Sequence, residues 1–169
     1  LFAPLMIKIG VLSDTHHTLD TRFIKHIKKC DEIWHAGDIG SLDVVDQIRR
    51  VTKLKAVYGN IDNSKIRIEF NKIIYFKCEG VSVLMTHIGG YPGRYKKGIK
   101  DLLKEKNPDI FICGHSHILK VMFDQELGIL HMNPGACGDY GIHQVKTMLT
   151  FIISGNKIMD LKIIEIPRY

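Results

Sequence analysis

The chain has 169 residues, of which 45% are hydrophobic and 25% charged, a composition typical of a globular protein with a sizeable core. No run of 18 or more apolar residues occurs, which argues against a membrane-spanning helix. The net charge of +6 favours anionic partners, but the lysines fall in short runs without interleaved aromatic residues, so no specific nucleic-acid binding is predicted.

The chain shows no internal repeat, low-complexity segment or linker. We therefore interpret residues 1–169 as a single domain, in which residues 1–5 are a cloning remnant or a flexible extension ahead of Met6. The four cysteines are widely spaced and form no C-x-x-C pair, which predicts reduced thiols and a cytoplasmic protein.

The first half of the chain alternates strands and helices. Residues 7–13, 32–37 and 54–59 are apolar and rich in β-branched side chains, which predicts strands. Apolar residues at helical spacing predict one helix over residues 20–30 and another that begins after Ser41, the expected N-cap. This alternation favours parallel pairing with right-handed crossovers.

The second half changes to antiparallel signals. Residues 72–87 read as a hairpin that turns at Glu79-Gly80, and a helix is predicted over residues 95–106. Further strands are predicted at 109–113, 119–124, 128–133, 147–153 and 157–166. Together the two halves predict an α/β fold with two mixed sheets packed face to face and helices outside.

Polar side chains follow several apolar runs directly, at the point where each predicted strand ends. In open α/β sheets the carboxyl ends of the strands form the usual site, because loops from several strands converge there. A lone histidine is more often a core or surface residue, and His26, His131 and His143 are interpreted in that way. The joint occurrence after five strands instead indicates one shared site, formed by Asp14, His16, Asp38, Asn60, His87, His115 and His117.

Imidazole and carboxylate ligands together suit divalent Mn, Fe, Zn or Ni, and the absence of cysteine among them argues against a structural zinc site. Seven ligands are too many for one tetrahedral ion and fit two ions, with Asp38 able to bridge them. Metals paired ~3.5–4 Å apart promote in-line displacement at phosphorus. Residues i and i+2 of an extended segment share a side, so His115 and His117 are expected to reach neighbouring ions.

The order of the motifs resembles that of the calcineurin-like metallophosphoesterase superfamily, and specifically its small YfcE-type phosphodiesterases, over residues 7 to about 140. The motifs are D-x-H at 14–16, G-D at 37–38, G-N-x-D at 59–62, T-H at 86–87 and G-H-x-H at 114–117. The resemblance implies a four-layer α-β-β-α sandwich. It also implies two divalent metal ions, with Mn²⁺ the first expectation and Fe, Zn or Ni the alternatives.

The resemblance further implies a role for each residue. One metal would be held by Asp14, His16, Asp38 and His117, and the other by Asp38, Asn60, His87 and His115. A hydroxide that bridges the metals would attack phosphorus in line, and Asp38, Asn60 and His87 are the expected catalytic residues. Behind the ligands, where they orient them, we expect His35, Asp62 and Asn133 of an N-P-G turn.

One position departs from the family pattern. Many members read G-N-H-[DE], where the histidine protonates the leaving oxygen, but this chain has Ile61 there. General-acid assistance is typically worth ~10²–10⁴-fold, so a slow or selective phosphodiesterase that favours aryl leaving groups is expected. His17 is a substitute acid or a solvent-exposed structural residue. Arg94 is a candidate substrate-binding residue or a surface arginine on a flexible loop.

Two other functions are weighed against the phosphodiesterase. Vps29, a trafficking subunit that resembles this family, is a protein-binding scaffold, and the loss of histidine at Ile61 is a step in that direction. The retention of all seven ligands favours the enzyme. A basic nucleic-acid-binding module rests on charge alone. The expected substrate is a small phosphoester or a nucleotide-type molecule, no membrane association is expected, and a homodimer is considered from the resemblance.

Overall fold

Two five-stranded sheets form the centre of the protein, for which the computed structural model describes residues 5–169. The first sheet contains, in spatial order, β12 (Lys157–Pro167), β11 (Val145–Ser154), β1 (Met6–Leu12), β2 (Glu32–His35) and β3 (Lys53–Ala56). Strands β1, β2 and β3 are parallel, as predicted, whereas β11 runs antiparallel to β1 and β12. The predicted extension lies outside the described residues except for Leu5.

The second sheet is also mixed. It contains, in spatial order, β4 (Ile73–Cys78), β5 (Val81–Thr86), β8 (Ile110–Ile112), β10 (Ile129–Pro134) and β9 (Leu119–Asp124). Strand β8 is parallel to both β5 and β10, while β4 and β9 close the two edges antiparallel to their neighbours. The predicted hairpin at Glu79-Gly80 is confirmed, since Cys78 pairs with Val81.

Four helices and a small hairpin make up the other elements of residues 5–169. They are α1 (Thr21–Ile27), α2 (Leu42–Arg49), α3 (Ser64–Glu69) and α4 (Ile99–Lys106), with the hairpin β6 (Gly90–Tyr91) and β7 (Arg94–Tyr95) ahead of α4. Among the described residues, no helix is long and apolar enough to cross a membrane.

Side chains alternate between two cores along the inner strands. In β1, Ile9 and Val11 enter the core between the two sheets, where Trp34 also lies, while Leu12 packs on the side of α1 and α2. The outer face of the second sheet is covered by α4, whose Leu103 packs in one cluster with Phe111. The predicted α-β-β-α sandwich of two mixed sheets is therefore confirmed.

Two local elements differ from the prediction. The helix expected over residues 95–106 begins at Ile99, because Tyr95 belongs to the small hairpin and Gly98 takes a left-handed conformation at the N-cap (φ 84°). Helix α3 was not predicted, since Ile66 is its only buried side chain and apolar periodicity is too weak to reveal it. Its start is marked by Asn63, whose side chain accepts hydrogen bonds from the N–H groups of Lys65 and Ile66.

The core between the sheets makes a direct stability prediction. Phe151 in β11 is fully buried, and its ring centroid lies 5.7 Å from that of Trp34. The substitution Phe151→Ala is expected to lower the free energy of unfolding by about 3–5 kcal/mol, because it removes a large apolar side chain and leaves a cavity. Urea denaturation measures the change.

The matched control is Phe123→Ala in the edge strand β9, where the side chain is 59% exposed. This variant should lose less than about 1 kcal/mol. An equal loss in the two variants would contradict the packing of the sheets described above.

Candidate metal centre

The loops that follow β1 and β2 of the first sheet and β5 and β8 of the second sheet converge on one place. They carry two groups of side chains whose ligand atoms, within each group, lie within 4.8 Å of one another. Six of the seven predicted ligands belong to these groups, namely Asp14, His16 and His117 in one and Asp38, His87 and His115 in the other.

The first group surrounds a buried carboxylate. The Nε2 atom of His117 lies 3.2 Å from Oδ1 of Asp14 and 3.3 Å from Nε2 of His16. The Nε2 atom of His16 is 3.8 Å from the same carboxylate oxygen. One oxygen and two imidazole nitrogens therefore face each other closely enough to share a cation.

The second group has the same composition. The Nε2 atom of His87 lies 3.2 Å from Oδ1 of Asp38, and the His87 and His115 ring centroids are 5.2 Å apart. The Nδ1–H group of His87 donates a hydrogen bond of 2.8 Å to the carbonyl oxygen of Ala36. Since a carbonyl oxygen only accepts, this bond sets the tautomer and leaves the lone pair of Nε2 for a ligand.

Asp38 joins the two groups. Its Oδ1 faces His87 of the second group, while its Oδ2 lies 3.6 Å from Nε2 of His16 in the first group. In addition, Nε2 of His87 in the second group lies 3.9 Å from Oδ1 of Asp14 in the first. Asp38 thus presents one oxygen to each group, which is the arrangement required of a bridging carboxylate.

Both carboxyl groups are ionised although they are buried. Burial acts to raise the pKa of Asp14, but the neighbouring imidazoles of His117 and His16 hold it well below its usual range. Burial also opposes ionisation of Asp38, whereas the adjacent imidazole of His87 lowers its pKa. Two neighbouring carboxylates removed from water are unfavourable unless positive charge lies between them.

Two atoms of the centre lack a partner among residues 5–169. They are Oδ1 of Asp14 and Nε2 of His87, both buried and without a hydrogen bond. Burial lowers the pKa of His87, yet Asp38 and Asp14 raise it above its ordinary value, so a proton is attracted to the place where a cation would lie. The carboxylate and imidazole donors fit divalent metal ions, whose binding would displace this proton.

His35 supports the loop that carries Asp38. Its Nδ1 accepts a hydrogen bond of 3.1 Å from the N–H of Gly37, and its Nε2 donates to Oγ1 of Thr15 at 2.9 Å. The Thr15 hydroxyl in turn donates to the carbonyl of Ile39. Burial lowers the pKa of His35 to about 4, so the ring is neutral and can accept the Gly37 bond.

Asp62 and Asn133 fix the other loops. The Asp62 carboxylate accepts hydrogen bonds from the backbone N–H groups of Gly40 and Gly59, each at 2.7 Å. The side-chain amide of Asn133 donates to the carbonyl of Gly114 and to Oγ of Ser116, next to the histidines of the last loop. All three residues expected behind the ligands therefore contact the loops that carry them.

The backbone at the centre is strained. Asp14, His16, Asp38, His115 and His117 all take a positive φ, between 44° and 72°, in the left-handed region that non-glycine residues rarely adopt. Each such residue costs of order 1–3 kcal/mol and persists only where the surrounding structure enforces it. This corrects the expected extended conformation at His115 and His117, because β8 ends at Ile112 and the two side chains diverge through left-handed residues.

Two glycines allow the loops to approach each other. A β-carbon on Gly59 would lie 2.0 Å from Oδ1 of Asp38, and one on Gly114 would lie 2.0 Å from Oγ of Ser13. Any larger residue would therefore displace a carboxylate ligand or the loop after β1. This explains the glycines of the G-N-x-D and G-H-x-H motifs in terms of space.

The remaining predicted residues lie outside the two ligand groups. Asn60 is exposed and lines a cavity together with His87. Ile61 is 40% exposed, and its N–H donates to Oδ1 of Asp38 at 3.1 Å. His17 is exposed, and so is Arg94, whose side chain forms no hydrogen bond or ion pair within residues 5–169. The structure does not bring Arg94 into the centre.

Two residues beside the centre were missed by sequence reasoning. The ring of Tyr140 lies 4.8 Å from that of His16, although Tyr140 is far from any predicted strand end. Arg67 of the unpredicted α3 donates to the carbonyl oxygens of Asp62 and Asn60, at 2.6 Å and 3.1 Å. The sequence gives no signal for either residue, because neither follows an apolar run.

Comparison with known proteins identifies the family. A model of the calcineurin-like phosphoesterase superfamily domain matches residues 7–156, and the chain belongs to this superfamily. A probable metallophosphoesterase of Methanocaldococcus jannaschii is 29% identical over 133 residues, which cover 76% of this chain and 67% of that protein.

Solved structures share the fold. Vps29 from Entamoeba histolytica, crystallised in complex with Zn²⁺, has a TM-score of 0.75 at 16% identity, with 96% of this chain and all of that chain covered (100%). A predicted phosphoesterase from Streptococcus pneumoniae has a TM-score of 0.70 at 20% identity, with 98% and 92% covered. Vps29 and a predicted phosphoesterase therefore share this architecture, which by itself does not determine function.

The buried neutral His35 predicts a pH dependence of stability. Its folded pKa of about 4 lies below the ~6.5 of an unfolded histidine. Between these two values the unfolded state binds more protons than the folded state, so a fall in pH stabilises the unfolded state and lowers the free energy of unfolding. The metal-free protein is expected to lose about 2–3 kcal/mol through this residue between pH 7 and pH 4.

Urea denaturation between pH 7 and pH 4.5 tests this expectation. The variant His35→Gln should show a shallower dependence of unfolding free energy on pH than the wild type, while His17→Gln, at an exposed position, should keep the wild-type slope. Equal slopes for wild type and His35→Gln would contradict the neutral buried imidazole.

Proposed function

We propose that the protein is a phosphodiesterase that uses two divalent metal ions, with Mn²⁺ the first candidate and Fe, Zn or Ni the alternatives. The observation that carries the proposal is the pair of matched groups, each with one carboxylate and two imidazoles, in which Asp38 of the second group also faces His16 of the first. A single structural ion would need only one such group. A pair suits the clamping of attacking and leaving oxygens at phosphorus.

The proposed assignment follows the two groups. Asp14, His16 and His117 would hold one ion, His87, His115 and Asn60 the other, and Asp38 would contact both. When bound, the ions would polarise the phosphoryl group and lower the pKa of a water molecule. Asp38, Asn60 and His87 would be the residues on which catalysis depends most directly, since Asp38 faces both groups and Asn60 and His87 line the adjoining cavity.

The protein's own residues would orient the reaction. The Ala36 carbonyl keeps the Nε2 lone pair of His87 directed at the centre, and the N–H of Ile61 holds one oxygen of Asp38. At position 61 the side chain has no proton to give to a leaving oxygen. Leaving groups that are stable as anions, such as aryl oxides, would therefore be favoured over alkyl alcohols.

Metal binding gives the first test of this proposal. Calorimetric titration of the chelator-treated protein with Mn²⁺ is expected to show two equivalents, and His117→Ala should lose one of them because that ion would keep only Asp14, His16 and the shared Asp38. The control His26→Ala, on α1, should bind both. A single equivalent in the wild type would contradict the paired centre.

The missing acid gives the second test. The wild type should hydrolyse an aryl phosphodiester faster than an alkyl phosphomonoester, and Ile61→His should raise the rate on the alkyl substrate by about 10–100-fold. The aryl rate should change little. Steady-state rates with bis(p-nitrophenyl) phosphate and glycerol phosphate measure both, and preference of the wild type for the alkyl monoester would overturn the proposal.

A protein-binding scaffold like Vps29 is the second candidate. It is favoured by Ile61 and by the exposed apolar side chains near His117, since Tyr140 is 69% exposed and Ile142 100%. Metal content does not distinguish the candidates, because a Vps29 structure is described with Zn²⁺. Absence of turnover on aryl diesters, alkyl monoesters, cyclic nucleotides and dinucleotides in the Mn²⁺-loaded protein would favour the scaffold.

We also propose a cytoplasmic location. All four cysteines are free and buried, and burial raises the pKa of the Cys113 thiol to about 12, so they suit a reducing compartment. A homodimer stays a prediction.

A further inference from the structure

A cavity of about 460 Å³ adjoins the candidate metal centre on the side of Asn60 and His87. Its volume is within the range of small-molecule pockets. Its lining includes residues 58–60 after β3 and residues 96–99 at the start of α4. A substrate whose reacting phosphate lies at the centre would therefore extend into this cavity.

The cavity is strongly basic. Four cationic side chains line it, Arg67, Lys72, Lys96 and Lys97, and no acidic residue does. The Arg67 guanidinium is already bound to backbone carbonyls and lies over the ring of Tyr58 at 4.8 Å. The charges that are free for a ligand are therefore those of the three lysines.

The three lysines have no carboxylate partner. Within residues 5–169, the lysines that form ion pairs are Lys55, Lys100, Lys106, Lys146 and Lys162. Lys72 directly precedes β4, whereas Lys96 and Lys97 lie in the turn before α4, and all three line this cavity. The short lysine run Tyr-Lys-Lys-Gly at residues 95–98 thus adjoins the proposed reaction site.

The rest of the lining is apolar. Ile73, Ile88, Ile99 and Leu102 line the cavity together with Tyr58. Apolar surface combined with a few cationic groups suits a ligand that has an organic ring system and an anionic group. A bare inorganic anion would leave this apolar surface unused.

We propose that the cavity binds a second phosphate group of the substrate, so that the preferred substrates are phosphodiesters on an organic body that carries a further phosphate. This inference rests on the proposed phosphodiesterase function and narrows its substrate class. Since the lysines are exposed, each contact is worth little, and together they should favour such substrates by about five- to twentyfold.

Two substrates that differ only in that phosphate test the proposal. Thymidine 5′-(p-nitrophenyl phosphate) and its 3′-phosphorylated form release the same leaving group. The ratio of their kcat/KM values should favour the 3′-phosphorylated form by about five- to twentyfold in the wild type. The variant Lys72→Gln/Lys96→Gln/Lys97→Gln should bring that ratio close to one.

The matched control removes the same three charges elsewhere. Lys25→Gln/Lys29→Gln/Lys157→Gln changes exposed positions outside the cavity, so it should keep the wild-type ratio. A wild-type ratio near one, or a similar fall in both triple variants, would overturn the proposal, because the effect would then reflect net charge rather than the cavity.

Binding separates failure of this inference from failure of the proposed function. Calorimetry of the Mn²⁺-loaded protein should show tighter binding of thymidine 3′,5′-bisphosphate than of thymidine 5′-monophosphate, and only the cavity variant should lose the difference. If the protein binds in this way but turns over neither ester, the phosphodiesterase proposal fails and the phosphate site stands. If it turns over both esters without preference, the phosphate site alone fails.

Discussion

Two carboxylates, Asp14 and Asp38, lie side by side where neighbouring parallel strands leave the first sheet, and both are almost entirely removed from water. Ionised groups in such a position repel each other and lose their hydration. Four imidazoles from three loops surround them, and the uncompensated atoms that remain are the ones a divalent cation would satisfy. The rest of the local structure depends on keeping these charges together.

Holding the two carboxylates together requires strained backbone conformations in the surrounding loops. Five ligand residues adopt left-handed φ values, and the loops are held in place by hydrogen bonds from buried groups that are not ligands themselves. The His35 side chain accepts a hydrogen bond from the N–H of Gly37, and the Asp62 carboxylate accepts from those of Gly40 and Gly59. The two sheets behind them form a rigid base, because their facing side chains pack into one continuous core. Rigid strands and strained loops together give the precision that a paired metal site needs.

Much of this could be predicted from the sequence. The apolar runs predict the strands, and the Asp and His residues that follow them predict the site. Both signals lie at one place in the sequence because the site is formed by the loops that directly follow the buried strands. Other features have no local signal. Helix α3 has one buried residue, so its periodicity is invisible, and with it the contacts of Arg67 were missed. The lysine-lined cavity depends on β4 and the turn before α4 coming together, and sequence cannot show a distance between segments that are far apart in the chain.

At position 61 the backbone and the side chain have different roles. Its N–H restrains Asp38 whatever residue is present, while the isoleucine side chain itself is partly in solvent and contributes little to the core. Exchange of that side chain should therefore leave the fold and the ligand geometry intact while it alters proton delivery. Isoleucine and histidine should therefore be interchangeable at this position with hardly any penalty in folding, so the choice of leaving group can be altered without rebuilding the loops that hold the ligands.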